Sequence, residues 1–283
     1  MTGERDEGRS RAIVGGRNLP VAIAVGLVLA VLFLVTLFWR AEAFTVMVGI
    51  VAATASVEVA RVLRPVGVRL LETVLVVAAV VSVVGAFVAG SFGQVVGIAV
   101  LLGGSVLALL ISEQRRQVLS TLAGTMLFGL WIAFLASYAV LLVDREDGPI
   151  VVLAVIGSAI IADIGGYAFG VPFGRHKVAP TVSPNKSWEG LIGGLLVAAG
   201  LAALVLPWFG DTFDPVSAAV LAVLCGTAGF VGDLFESLVK RDLGVKDLGF
   251  LLPGHGGILD RVDGILVALP VGYYAVLTVV GSG

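Results

Sequence analysis

Long apolar stretches separated by short polar segments run along nearly the whole chain. About 20 apolar residues in an α-helix are enough to cross a bilayer core roughly 30 Å thick. Nine such stretches are predicted, and the pattern therefore indicates an all-α, polytopic membrane bundle of about nine transmembrane helices. Their approximate ranges are 19–39, 43–63, 70–90, 93–112, 120–143, 149–170, 189–208, 215–238 and 258–281.

The composition agrees with lipid as the main solvent of this surface. Of the 283 residues, 58% are hydrophobic and only 13% are charged, and the mean hydropathy is +1.07. A soluble domain carries roughly 25% charged residues, which is about twice this share. The first apolar stretch is longer than the apolar region of a cleaved signal peptide, so we expect it to be retained. The single cysteine, Cys225, excludes an intrachain disulfide.

The basic residues predict how the chain is oriented. Cytoplasmic segments of membrane proteins are enriched in Lys and Arg. With the N-terminus placed in the cytoplasm, every Lys and Arg except Arg40 and Arg145 falls in a cytoplasmic segment. We therefore expect a multi-pass protein of the bacterial inner membrane, with its N-terminus inside and its C-terminus outside. The two longest polar loops, 171–188 and 239–257, then both face the cytoplasm.

The chain divides by chemistry into three regions. Residues 1–18 form a polar cytoplasmic tail that contains several arginines. Residues 19–143 contain five predicted spans with few ionisable side chains, and we expect this region to be largely non-catalytic. Within it we predict structural roles for Glu58 and Glu72. Residues 144–283 contain four predicted spans and nearly all of the candidate chemistry.

Five acidic side chains lie near one membrane face in the last four predicted spans: Asp163, Asp233, Glu236, Asp260 and Asp263. An ionisable group at membrane depth costs at least about 2.5–3.5 kcal/mol, so such groups are candidates for function. A set of carboxylates without clustered cysteine or histidine favours Mg²⁺ or Mn²⁺ over zinc. Basic side chains in the neighbouring loops could neutralise phosphate charge, which together with a metal is typical of phosphoryl or nucleotidyl transfer. For any single residue the alternative is a simple ion pair at a helix end.

The end of the eighth predicted span, the following loop and the start of the ninth carry a dense set of polar and glycine residues. They are Ser237, Val239, Lys240, Arg241, Lys246, Asp247, Gly249, Leu252, Pro253, His255, Gly256, Gly257, Ile258, Asp260, Arg261, Val262 and Asp263. This segment resembles the signature of the phosphatidate cytidylyltransferases, also called CDP-diacylglycerol synthases. Two upstream segments resemble the family more weakly, namely Asp163 with Tyr167, and Ser183-Pro184 with Lys186, Glu189 and Gly190. The chain departs from the family at Ile164 and Gly166, where Thr and Ala are expected, and at Asn185, where Lys is common.

The resemblance implies an enzyme that transfers CMP from CTP to phosphatidic acid, with Mg²⁺ as cofactor and release of pyrophosphate. We leave open a second cation, monovalent or divalent, and a homodimer; we expect a bilayer partner and no nucleic acid. The catalytic candidates are Lys240, Arg241, Lys246, His255, Asp260 and Asp263. The substrate-binding candidates are Tyr167, Ser183, Asn185, Lys186, Gly254, Gly256, Gly257 and Arg261. The candidate metal ligands are Asp163, Asp233, Asp260 and Asp263.

Two other functions compete with this interpretation. A secondary transporter binds its substrate with acids and broken helices near the membrane midplane. Here the acids lie at one face and no internal repeat is evident. A related membrane lipid kinase or nucleotidyltransferase with another lipid substrate is the second alternative. The Asp-Gly…Ala-Arg…Gly…Asp…Asp pattern of the CDP-alcohol phosphotransferases is not found in this sequence.

Overall fold

The computed structural model describes residues 19–113, 116–252 and 256–280, and these are mainly helical. The helices are α1 Leu19–Trp39, α2 Ala41–Leu63, α3 Glu72–Ile111, α4 Val118–Gly129, α5 Leu135–Val143, α6 Gly148–Phe173, α7 Trp188–Val205, α8 Pro215–Leu243 and α9 Leu259–Ala275. A π-helical turn, Leu130–Phe134, joins α4 to α5, so these two form one continuous segment. Short turns of 3₁₀ helix, Leu206–Phe209, and of π helix, Val276–Val280, follow α7 and α9.

The helices have the length and composition of membrane spans. Among the described residues, seven helical segments are long and apolar enough to cross a bilayer. Helix α1, Leu19–Trp39, is a further apolar helix of 21 residues. Many large apolar side chains on the outer faces of the helices are exposed, as expected where lipid replaces water. The predicted all-α polytopic membrane fold is confirmed in this general form.

Helix α3 folds back on itself at Gly90. Gly90 has φ +57° and ψ −139°, a backbone conformation that glycine adopts easily because it has no Cβ. A methyl group added to Gly85 would lie 2.9 Å from the carbonyl oxygen of Gly93. In a straight helix these two residues would be about 12 Å apart along the axis. The element α3 is therefore a helical hairpin, and its two halves correspond to most of the stretches predicted as 70–90 and 93–112.

Small residues let the last four helices pack closely, which is typical of helix contacts in lipid. A methyl group added to Gly165 of α6 would lie 3.0 Å from the Cα of Gly194 in α7. A methyl group added to Gly264 of α9 would lie 2.8 Å from the carbonyl oxygen of Gly229 in α8. Helices α6 to α9 thus form one tightly packed unit.

The polar loop predicted at 171–188 contains a small antiparallel hairpin. Strand β1, Lys177–Ala179, pairs with strand β2, Ser183–Ser187. The hydroxyl of Ser187 accepts a hydrogen bond from the Gly190 amide at 3.2 Å and so caps the N-terminus of α7. This hairpin is an addition to the predicted all-α fold, and it holds the loop against the end of the helical bundle.

Candidate active site

Asp233 and Glu236 of α8 and Asp263 of α9 form an acidic cluster. One carboxylate oxygen from each lies within 4.8 Å of the other two. The three-residue spacing places Asp233 and Glu236 on one face of α8. Helix α9 comes close at this level because residue 232 is glycine: a methyl group there would lie 2.8 Å from the carbonyl oxygen of Asp263. The close contact of α8 and α9 therefore brings the three carboxylates together.

The cluster has the properties of a magnesium site. Glu236 is 3% exposed, and its Oε1 atom has no hydrogen-bond partner among the residues that the structure describes. A buried carboxylate oxygen without a partner is costly, and a bound cation would remove that cost. Three carboxylates are hard oxygen ligands of the kind that Mg²⁺ prefers. Asp233 and Asp263 were predicted as ligands, whereas Glu236 was left out of the predicted set although its spacing from Asp233 could have indicated it.

Asp260 lies beside the acidic cluster but is occupied by donors from the protein. The Nζ atom of Lys240 is 2.6 Å from Asp260 Oδ1 and 2.6 Å from Glu236 Oε2. Asp260 also accepts the amides of Leu248 at 3.0 Å and Gly257 at 2.7 Å. This geometry favours Glu236 over Asp260 as the third metal ligand. The Gly257 amide donates to Asp260 here, and a substrate contact of Gly257 stays a prediction.

Lys186 of β2 reaches the acidic cluster from the hairpin. It forms an ion pair with Asp233, and its Nζ atom lies 4.4 Å from the centroid of the Phe230 ring. Asp163 of α6 lines the same cavity as Lys186 and Asp233. The hairpin and α6 thus bring Lys186 and Asp163, two of the predicted site residues, to the edge of the cluster.

A cavity of about 750 Å³ lies between α6, α7, α8 and the hairpin. Its polar lining residues include Asp163, Lys177, Ser183, Asn185, Lys186, Ser187 and Asp233. Its apolar and aromatic lining residues include Ile164, Tyr167, Val171, Leu191 and Phe230. Three of these, Ile164, Tyr167 and Val171, are largely exposed on the outer face of α6. The cavity therefore combines a charged wall with an apolar wall that continues onto the surface of the bundle.

A second cavity, of about 150 Å³, lies between α6, α8 and α9. Asp163 and Asp233 line both cavities, while Asp263 and Arg261 line the smaller one. The acidic side chains therefore separate a large cavity from a small one, and both cavities have a basic side chain in their lining.

The remaining predicted site residues lie at the end of α8 and in the segment between α8 and α9. Arg241 donates from Nε to the carbonyl oxygen of Val182 at 3.3 Å and so holds the hairpin against α8. Lys246 is exposed in the segment that follows α8. Gly256 has φ +89°, and its carbonyl accepts the Leu252 amide at 2.9 Å. The predicted residues Gly254 and His255 lie outside the described residues.

Glu189, at the start of α7, ties the beginning of the hairpin to that helix. Its carboxylate accepts the amides of Arg175 at 3.1 Å and His176 at 3.2 Å, and it lies 2.5 Å from the His176 Nδ1 atom. Sequence reasoning assigned no role to Glu189. The structure gives it one: Glu189 anchors the segment that carries Lys177 to the edge of the cavity.

Comparisons with known proteins show the family to which this chain belongs. Residues 20–279 match the model of the cytidylyltransferase family. A phosphatidate cytidylyltransferase from Mycobacterium leprae is 36% identical over 277 residues, which cover 91% of this chain and 87% of that protein. The phosphatidate cytidylyltransferase of Mycobacterium bovis is 34% identical over 276 residues, which cover 89% of this chain and 86% of that protein. The phosphatidate cytidylyltransferase of Pseudomonas aeruginosa is 44% identical over 133 residues, which cover 47% of this chain and 49% of that protein. The match extends over the first five predicted spans as well as the acidic cluster, and this chain belongs to the cytidylyltransferase family.

Proposed function

We propose that this protein transfers CMP from CTP to phosphatidic acid and produces CDP-diacylglycerol and pyrophosphate. The observation that carries the proposal is the acidic cluster beside a cavity with a cationic wall and an apolar wall. Both substrates present phosphates, and one of them carries acyl chains that must remain in lipid. The name shared by the mycobacterial relatives supports the same reaction.

Magnesium fits the acidic cluster, and Asp233, Glu236 and Asp263 would hold it. When bound, Mg²⁺ supplies positive charge to phosphate oxygens and orients them for displacement. Asp163 lines both adjoining cavities and is the candidate ligand for a second, monovalent or divalent, cation.

The chain's own residues position the two substrates and neutralise their charge. In the proposed reaction, an oxygen of the phosphatidate phosphate attacks the α-phosphorus of CTP. The bond between the α-phosphorus and the oxygen that bridges to the β-phosphorus breaks, and pyrophosphate leaves with that oxygen. A phosphate monoester is already an oxyanion near neutral pH, so no protein nucleophile is required.

Basic side chains are assigned to the phosphates by their place in the cavity. Lys177 and Lys186 line its charged wall, where they would bind phosphate oxygens. Lys240 instead holds Glu236 and Asp260 in place. Direct phosphate contacts of Arg241, Lys246 and His255 stay predictions.

We also propose that the chain crosses the bacterial inner membrane nine times, with its N-terminus and its active site on the cytoplasmic side. The distribution of Lys and Arg supports this orientation. The fold of α3 into a hairpin supports the count, because its two halves are then separate spans. A cytoplasmic site would give CTP direct access. A homodimer stays a prediction that cross-linking in the membrane would test.

The reaction is tested with CTP labelled at one of two phosphorus atoms. The full chain in mixed micelles with phosphatidic acid and Mg²⁺ should transfer label from [α-³²P]CTP into a lipid product that co-migrates with CDP-diacylglycerol. With [γ-³²P]CTP the label should appear only in pyrophosphate.

The same experiment separates the alternatives. A lipid kinase would move the γ-label into lipid, and a transporter would label no lipid from either nucleotide. Either result would contradict the proposed reaction, and full activity in the presence of excess EDTA would contradict the proposed magnesium site.

A further inference from the structure

Glu58, in the first half of the chain, binds the segment that leads into α9. It belongs to α2, and it is 2% exposed. Its Oε1 atom accepts the amides of Phe250 at 2.8 Å and Leu251 at 2.6 Å, and its Oε2 atom accepts the Ile258 amide at 2.7 Å. These partners lie about two hundred residues further along the chain. Both carboxylate oxygens are therefore directed at one short stretch of backbone.

That stretch consists of two segments, 248–252 and 256–258, which we call the signature flanks. Asp260 binds them from the side of α9 through the amides of Leu248 and Gly257. Glu58 binds them from the side of α2. Five backbone N–H groups of the signature flanks thus donate to two carboxylates, one from each half of the protein. Hydrogen bonds to an ionised acceptor are roughly twice as strong as neutral ones, so this arrangement fixes the flanks firmly.

The contact between Glu58 and the signature flanks is also sterically tight. A methyl group added to Gly249 would lie 2.5 Å from the Cα of Gly257 and 2.7 Å from the Glu58 Cδ atom. The two flanks therefore touch each other where Glu58 touches them. No side chain fits at position 249 without pushing the flanks apart or away from Glu58.

We propose that Glu58 is a positioning residue for the active site. By fixing the amide of Ile258, the residue that precedes α9, it sets where that helix begins. The start of α9 in turn places Asp260 against Lys240, and Asp263 in the acidic cluster. The first five predicted spans thus contribute a residue to the organisation of the site, through backbone rather than through substrate. A test of this role by turnover rests on the proposed function, whereas a test by hydrogen–deuterium exchange of the backbone does not.

Glu72 provides a matched control within the same half of the protein. It is the first residue of α3, and it pairs with Arg61 at 3.3 Å and Arg64 at 3.5 Å near the surface. It makes no contact with the signature flanks among the interactions of the described residues. Glu72→Gln should therefore retain wild-type turnover within about 2-fold, since exposed ion pairs contribute little.

The test compares Glu58→Gln and Glu58→Ala with this control. Glutamine keeps one oxygen for the amides of Phe250 and Leu251 but turns its NH₂ group towards the amide of Ile258. We expect kcat to fall about 10-fold in Glu58→Gln and about 100-fold in Glu58→Ala, since a shift near 1 Å at a catalytic group has effects of this size. The KM for CTP should change much less than kcat. Gly249→Ala should reproduce the loss of turnover, because its methyl group would push apart the same two flanks that Glu58 binds.

The second readout is hydrogen–deuterium exchange of the full protein in detergent. Peptides that cover 248–252 and 256–258 should exchange faster in the Glu58 variants, with the remaining peptides unchanged. Wild-type kcat in Glu58→Ala, or unchanged exchange of the signature flanks, would overturn the proposal. Faster exchange over the whole protein would also count against it, because Glu58 would then support the fold in general. If the wild-type protein makes no CDP-diacylglycerol, the proposed function fails while the exchange comparison still decides the role of Glu58.

Discussion

Replacing Gly232 with alanine should separate the carboxylates of the acidic cluster. The added methyl group would lie 2.8 Å from the carbonyl oxygen of Asp263 and 2.9 Å from the Cα of Gly264. Both are backbone atoms of α9, so no side-chain rotation relieves the overlap. Non-bonded carbon contacts are comfortable at about 3.5–4.0 Å, and α9 must therefore retreat by roughly 0.5–1 Å.

The expected magnitude follows from this displacement. Overpacking a tight contact typically costs about 1–3 kcal/mol of stability. Turnover should be affected more than stability. Asp233 and Glu236 flank the contact on α8 and stay in place, while Asp263 moves away with α9. A misplacement near 1 Å can reduce the rate by about 100-fold. We expect the variant to remain folded and to lose most of its activity.

The assay is kcat/KM for CTP in the α-label experiment, together with the melting temperature in detergent. Gly200→Ala in α7 is the matched control, since in the described part of the chain no atom outside its own helical backbone and neighbours lies within 4 Å of the added methyl group. It should keep wild-type turnover. Wild-type turnover in Gly232→Ala would refute the argument that the α8–α9 distance sets the geometry of the cluster.

Three further predictions address the site and the orientation. Asp263→Asn removes one charge from the acidic cluster at constant shape, so turnover should fall by about 100-fold, the upper end of the loss seen for residues that only support a metal ligand, while the melting temperature changes little. Lys240→Met leaves two buried carboxylates without their cation, and the free energy of unfolding in detergent should fall by about 3 kcal/mol along with turnover. A cysteine at Asp211 should react with a membrane-impermeant maleimide in spheroplasts, whereas a cysteine at Thr181 should react only after permeabilisation, because these exposed loops lie on opposite faces in the proposed topology.

Each of these predictions has a clear contrary result. Retained turnover in Asp263→Asn would remove that residue from the metal site. An unchanged stability of Lys240→Met would mean that its partners are neutral in the folded protein. Equal labelling of both cysteines in intact spheroplasts would contradict the proposed orientation; the native Cys225 is buried and should contribute little background.

The helices could be predicted from sequence because their signal is local. A long apolar run has few alternatives to a helix in lipid, and most predicted ranges overlap the observed helices closely. The hairpin of β1 and β2 could not be predicted in this way. Its five-residue second strand contains Pro184 and lacks alternating apolar residues, so the strand exists through pairing with β1 and not through its own pattern.

The sequence indicated which residues belong to the candidate site, but it did not indicate which of them contact each other. Spacing showed that Asp233 and Glu236 share a face of α8, and that Asp260 and Asp263 lie in the first turns of α9. It could not show which carboxylate would meet Lys240 and which would face the metal. That choice depends on how α8 and α9 are rotated against each other, which the glycine contacts decide. The role of Glu58 could not be predicted either. Its partners are backbone amides, which every residue except proline has, so the amino-acid sequence does not mark them.

The ion pair of Lys240 with Glu236 lies within one helix, four residues apart, and this has a consequence for biogenesis. As α8 is inserted during synthesis, these two charges can neutralise each other before any later helix arrives, which lowers the cost of placing them near lipid. Glu58 has no such local partner among its described contacts and must wait until almost the whole chain has emerged. We therefore expect a membrane-integrated chain whose residues 248–258 are still inside the ribosome to leave Glu58 without its amide partners, which it acquires only when that segment is released.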